Sequence, residues 1–327
     1  MKFEKEQLLK LYTNLVRARA WDQMCMSLLG QGKLLAFYHA AYGGEAPGVG
    51  SCSTLRKDDI LWPHHRGHGI PHMIAKGIDP KTYLAEHCGK TTGCCGGMSS
   101  FHQAYPEEGL YGSSGTIGSC FPLSLGWGMA AQRNPGDQIV MCCFGDGAFS
   151  RGTFHESMLM AVNMKLPIVW LCENNGVQEM TALKEVVSLD HLSDQAAGYG
   201  IPTAVVDGQD VIAVAEAVAE PIKRAREGKG PSFVECITHR YTPHALGIQD
   251  FWGDRLRTDE EIKDLIQETD PVVICRNQLL EQGILTTTLV EQTDQAVALE
   301  IQEAEKFVDE SENADASCLG PEAVYAD

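Results

Sequence analysis

The residues from Gln138 to Asn175, QIVMCCFGDGAFSRGTFHESMLMAVNMKLPIVWLCENN, restrict what this chain can fold into more than any other stretch. Ile139 to Phe144 is a short apolar run bounded by Asp137 and Gly145, the pattern of a buried strand rather than a helix. A second run, Pro167 to Cys172, ends in Glu173-Asn174-Asn175. Between them Phe154, Met158, Leu159 and Val162 recur at helical spacing. The unit reads as strand, loop, helix, strand.

In an open parallel sheet, ligands bind beyond the carboxyl ends of the strands. Gly145-Asp146-Gly147 and Asn174-Asn175 both sit at such ends and are expected to face one cleft. Asp146 offers a carboxylate and Asn175 an amide oxygen, hard ligands suited to Mg, whose other positions go to water, backbone carbonyl or phosphate. Gly147 is expected to let the backbone approach a phosphate closely. The helix after it would turn its N-terminal amides and positive dipole end to the same anion.

Length and composition set the outer bounds. A chain of 327 residues can bury a full α/β core. Its net charge of -18 and pI of about 5.0 argue against nucleic acid, whose phosphates demand a basic footprint. The cysteines form no CxxC pair with metal spacing, several lie inside apolar runs, and the vicinal Cys94-Cys95 reads as two reduced loop thiols. MKFEKEQLL has neither an apolar signal core nor the character of a transit peptide. No apolar run approaches membrane-spanning length, so a cytoplasmic setting is expected.

Glu4 to Leu29 predicts a long helix with Leu8, Leu11, Leu15 and Ala18 on one face, stopped by Gly30 to Gly32. Thr203 to Val206 and Ser232 to Ile237 predict further buried strands, separated by a helix from Val211 to Glu227 and a turn from Gly228 to Pro231. Beyond Thr258 the pattern is helical, with Asp270-Pro271 starting one helix, Gly283 breaking the run, and a polar, frayed end from Ser311. The expected fold is a doubly wound, mostly parallel α/β sheet with helices on both faces. We expect one domain over residues 1–327, with a helical arm to about residue 32 and a helical tail from about residue 258.

The Gly-Asp-Gly to Asn-Asn unit resembles the thiamine diphosphate motif. That resemblance implies thiamine diphosphate and Mg as cofactors, with Gly145, Asp146, Gly147 and Ala148 at the cofactor and Asp146, Asn175 and Val177 at the metal. Upstream, His64, His65, Arg66 and His68 cluster between the strand-like ILW and a helix signal. A His-Arg-Gly-His-Gly run there resembles the alpha subunit of the first component of 2-oxo acid and acetoin dehydrogenase complexes. The similarity continues through AKGIDPKTYLAEHCGKTTG, LYGSSGTIGS, DQAAGYGIPTAVVDGQDVIAVAEA and GPSFVECITHRY.

By that resemblance Arg66 contacts the diphosphate and His39 lines the channel to the cofactor. The Gly115 carbonyl and Ile117 amide hold the aminopyrimidine, and His244 sits over the diphosphate. The family's activating glutamate, which faces the pyrimidine ring nitrogen, belongs to a separate beta chain. No equivalent segment is recognisable here, so a beta partner in an α2β2 assembly is implied. His65 and His244 are read as proton-handling groups, since imidazole titrates near working pH; purely structural diphosphate contacts are the other reading.

Three departures stand out. Gly44 replaces the acid or amide before the glutamate of the Tyr-Gly-Gly-Glu-like turn; GGMSSFH, from Gly96 to His102, lacks a basic residue. After Arg240, Pro243 replaces a glycine, Ala245 a serine, and Gly247-Ile248-Gln249 an acidic turn. The implied activity is cleavage of a 2-oxo acid or α-hydroxyketone, with the acyl fragment passed to a lipoyl acyltransferase. A split transketolase-like enzyme and a non-catalytic cofactor-binding regulatory chain are the alternatives.

Overall fold

The computed structural model describes residues 3–247, 257–315 and 317. Seven strands occur among them: β1 (Ile60–Trp62), β2 (Val140–Gly145), β3 (Ile168–Asn174), β4 (Val177–Gln178), β5 (Thr181–Ala182), β6 (Thr203–Asp207) and β7 (Ser232–Ile237). Five of them form one sheet in the order β1-β2-β3-β7-β6. All its pairings are parallel. β4 and β5 make a separate antiparallel hairpin.

Strand residues alternate faces with a period of two, and here each face has its own core. Met141, Cys143, Val169, Leu171, Val234 and Cys236 enter one core, with the helices Lys5–Gly30, Glu45–Cys52, Ile70–Lys76 and Val211–Arg226. Val140, Cys142, Phe144, Ile168, Trp170 and Phe233 enter the other, under the helices Cys120–Arg133, Gly152–Met164 and Leu192–Ala197. A strand buried on both sides must be apolar at every position, which is why the central runs show no alternation in sequence. The doubly wound α/β arrangement is therefore present.

Four local expectations need correction. β6 is not buried: it is the outermost strand, its exposure alternates, and Val205 is 43% exposed. The segment after Gly145 is two helices, the single turn Asp146–Phe149 and the longer Gly152–Met164, with Arg151 extended between them. The longer helix's first turn therefore starts six residues past Asp146 rather than at the motif. Leu159 is 55% exposed although Phe154 and Met158 are buried, because one residue along a helix is about 100° around it. Residues 311–314 are not frayed, since Glu312 accepts from the Thr91 amide at 3.0 Å and the Ala314 amide donates to Gly89 at 2.8 Å.

The terminal helices follow their signals. Glu4 and Gln7 form a capping box on Lys5–Gly30. Asp270 caps Pro271–Glu281 through the amides of Val272 and Val273. No helix among the described residues is long and apolar enough to cross a membrane.

Candidate active site

The carboxyl ends of β1, β2 and β3 open onto a cavity of about 310 Å³. Gly145, Asp146, Gly147 and Ala148 line it from β2, and Asn175 and Val177 from the end of β3. His65, Arg66, Ile117 and His244 complete that set, so distant segments of the chain meet in one place. Gly115 lies between the lining residues Ser114 and Thr116. His39 stands behind the wall, its ring centroid 4.8 Å from those of His65 and His244.

Asp146 and Asn175 are both buried. Asp146 Oδ2 has no hydrogen-bond partner, and burial raises its carboxyl pKa to about 6 against the pull of two backbone amides, Arg66 and Arg240. Asn175 Oδ1 accepts from the Val177 amide at 3.1 Å, closing a turn over the cavity. Asn174 serves the scaffold instead, donating to Glu235 at 2.7 Å. A buried carboxylate oxygen with nothing to bind, beside an amide oxygen, suits a small divalent cation.

Gly145, rather than Gly147, is the crowded glycine. A Cβ on Gly145 would stand 2.8 Å from His64 Nε2, whereas one on Gly147 would meet only Gln178 at 3.5 Å. Gly118, at φ 89°, ends the loop before Cys120–Arg133, and a Cβ there would be 2.9 Å from Arg151 Cγ and Thr153 Oγ1. In the same loop the Gly115 amide donates to His102 Nε2 at 3.4 Å.

Arg66 is buried, with its Nη1 on the carbonyls of Ala40 at 3.2 Å and His244 at 3.4 Å. Its Nε has no partner. Burial and the neighbouring Arg240 lower its pKa to about 10. Arg240, also buried, donates to the Glu179 carbonyl at 3.1 Å. Two buried guanidinium groups acting on one another form a strong anion site. The sequence reading passed over Arg240, treating it only as the start of a loop; its signal was its position three residues past the end of β7.

The histidines differ from their expected behaviour. Burial and the two arginines lower His244 to about 3; burial, Arg66 and His244 lower His39 to about 2. His65 is likewise driven well below its ordinary value by burial and by His64 and Arg66. All three are neutral imidazoles at working pH in this state. His68 is set back from the cavity, at φ 46°, between His87 at 2.8 Å and His39 at 3.0 Å.

The loop after Arg240 can be followed to Gly247, where Leu246 pairs with Tyr38 in an antiparallel bridge. Ile248 and Gln249, part of the altered acidic turn, lie outside the described residues.

Residues 13–317 match the family described as dehydrogenase E1 component. The alpha subunit of acetoin:2,6-dichlorophenolindophenol oxidoreductase from Bacillus subtilis is 36% identical over 94% of this chain and 90% of its own length. Its namesake from Cupriavidus necator is 37% identical over 92% and 89%. The alpha subunit of the pyruvate dehydrogenase E1 component from Zymomonas mobilis is 32% identical over 94% and 86%. The chain belongs to the dehydrogenase E1 component family, as the alpha subunit of a thiamine diphosphate-dependent enzyme.

Proposed function

We propose that this chain holds the diphosphate end of Mg-thiamine diphosphate and, with a beta chain, cleaves acetoin or a 2-oxo acid such as pyruvate. The observation that carries this reading is the partnerless Asp146 Oδ2 in a cavity shared with Asn175 and Arg66. Asp146, Asn175 and the Val177 carbonyl would take the metal. Arg66, with Arg240 behind it, would take the diphosphate, and Gly115 and Ile117 the pyrimidine. When bound, the cofactor supplies a nucleophilic carbon that attacks the substrate carbonyl and stores the electrons of the broken carbon bond.

The residues of this chain bind, orient and hold protons. His65 and His244 are neutral because burial opposes protonation, joined by Arg66 at both and by Arg240 at His244. A bound diphosphate would offset the guanidinium charges and raise both imidazoles, so that His65 and His244 could exchange a proton with substrate in the loaded site. His39 packs behind them and fixes their placement.

A beta chain with an activating glutamate, in an α2β2 assembly, and a lipoyl acyltransferase as acceptor complete the reading. Exposed Leu123, Leu159, Met160 and Met164 support a partner, since they leave apolar surface on two neighbouring helices. The names of the relatives favour a dehydrogenase over ketol transfer or a regulatory role. We place the chain in the cytoplasm, as one cofactor-binding domain, and its described cysteines are all free thiols. The test is calorimetry on the assembled α/β protein: Asp146→Ala and Asn175→Ala should each lose Mg-thiamine diphosphate retention, and unchanged affinity in either would refute the metal assignment.

A further inference from the structure

The end of β3 carries a second device, outside the residues assigned above. Glu173 is buried with both carboxylate oxygens on imidazoles, Oε2 with His64 Nδ1 at 2.9 Å and Oε1 with His72 Nε2 at 2.6 Å. A carboxylate only accepts, so both rings present an N–H to it, and burial keeps His64 below its ordinary value. His64 stays neutral, its proton pinned on Nδ1 by the carboxylate.

That tautomer leaves His64 Nε2 as a bare lone pair. The atom is buried and has no partner. His64 lines the cavity with Gly145 and Asp146, and this atom lies over Gly145, 2.8 Å from where a Cβ on that glycine would be. A lone pair needs a donor, which neither a phosphate oxygen nor a carboxylate provides. Beside a divalent cation the available donors are its coordinated waters, which the ion polarises and which Mg retains readily.

We propose that His64 accepts a hydrogen bond from a water of the divalent ion held by Asp146 and Asn175, with Glu173 as the positioning residue that fixes its tautomer and His72 holding the other oxygen of Glu173. This rests on the metal reading of Asp146. Groups that hydrogen-bond to a metal's ligands from the outer layer tune the site, and losing such a partner costs about 10- to 100-fold in metal affinity.

The test is Mg2+ titration of the assembled α/β protein at saturating thiamine diphosphate, read by calorimetry, with near-UV circular dichroism as the check on folding. His64→Leu should weaken Mg2+ about 10- to 100-fold. His64→Gln, which keeps an acceptor oxygen, should recover most of that loss. Glu173→Gln, whose amide can donate to His64 Nδ1 and push the proton onto Nε2, should behave like His64→Leu. Wild-type Mg2+ affinity in His64→Leu, or equal loss in the Leu and Gln variants, would overturn the proposal. Asp146→Asn separates the layers: if it also binds Mg2+ normally, the underlying metal reading falls, and this proposal with it.

Discussion

Tyr38 donates its hydroxyl to Asp22 Oδ1 at 2.7 Å, in a site closed to water, and the Ala41 amide donates to the same oxygen at 2.7 Å. Asp22 Oδ2 has no partner. Burial, with the nearby charge of Glu45, raises the carboxyl to about 7 against the pull of Ala41, Tyr38 and Arg19. The native state thus keeps a proton that the unfolded chain releases near pH 4. Its stabilising contribution is complete below that pH and is lost as pH rises through about 7. Asp22→Asn keeps the acceptor oxygen and never ionises. We expect its stability relative to wild type to grow between pH 4 and 7, by on the order of 4 kcal/mol, and then level off. Urea unfolding at pH 5 and pH 8 measures this; an advantage independent of pH would contradict it.

Glu86 organises the segment that lacks the basic residue of the family's pattern. Its Oε2 accepts from the amides of Cys95 at 2.7 Å and Gly97 at 2.8 Å, and its Oε1 from the amide of Ser99 at 2.6 Å and its hydroxyl at 3.0 Å. This turn leads to Phe101 and His102, which stack at 4.2 Å, with His102 supporting Gly115. Glu86→Ala should cost about 2 kcal/mol, because it strands three part-buried amides and a hydroxyl. It should also raise the concentration of cofactor needed for half-saturation. Amide exchange over residues 95–99 and cofactor titration check the two effects; unchanged exchange would show that the carboxylate does not hold the loop.

The loop around His244 should govern the acyl acceptor. Pro243 fixes φ and removes an amide donor where the family has glycine, and Ala245 lacks the hydroxyl that a kinase would modify. We expect an ordinary pyruvate-complex lipoyl domain to be a poor acceptor, and Pro243→Gly, with an acidic turn in place of Ile248 and Gln249, to raise transfer to it. Acylation of a free lipoyl domain by the reconstituted enzyme decides the matter. Efficient transfer by the unaltered protein would refute this expectation.

The sequence was most legible where physics acts locally. Unbroken apolar runs marked β2 and β3, and Gly-Asp-Gly with Asn-Asn marked their carboxyl ends, since strand length, loop and ligand position are set within a few residues. β6 misled because its valines suit a strand wherever it lies, and only its place at the sheet edge exposes Val205. The neutral state of His65 and His244 was hidden for a similar reason: it depends on burial first, then on Arg66 and, at His244, on Arg240, which follow the first and last strands of the sheet in sequence. His64 read as one histidine in a cluster, and Glu173 as the residue before an asparagine pair. Only their meeting over Gly145, more than a hundred residues apart in sequence, makes them a unit.

The central claim is that this chain is the diphosphate-holding half of a divided active site. Its most direct measurement is deuterium exchange at the thiazolium carbon of thiamine diphosphate, with Mg present, by this chain alone and after addition of the beta chain. No acceleration is expected from the chain alone, and rapid exchange is expected once the beta chain supplies its carboxylate. Full exchange by the isolated chain would contradict it, because the activating group would then reside here.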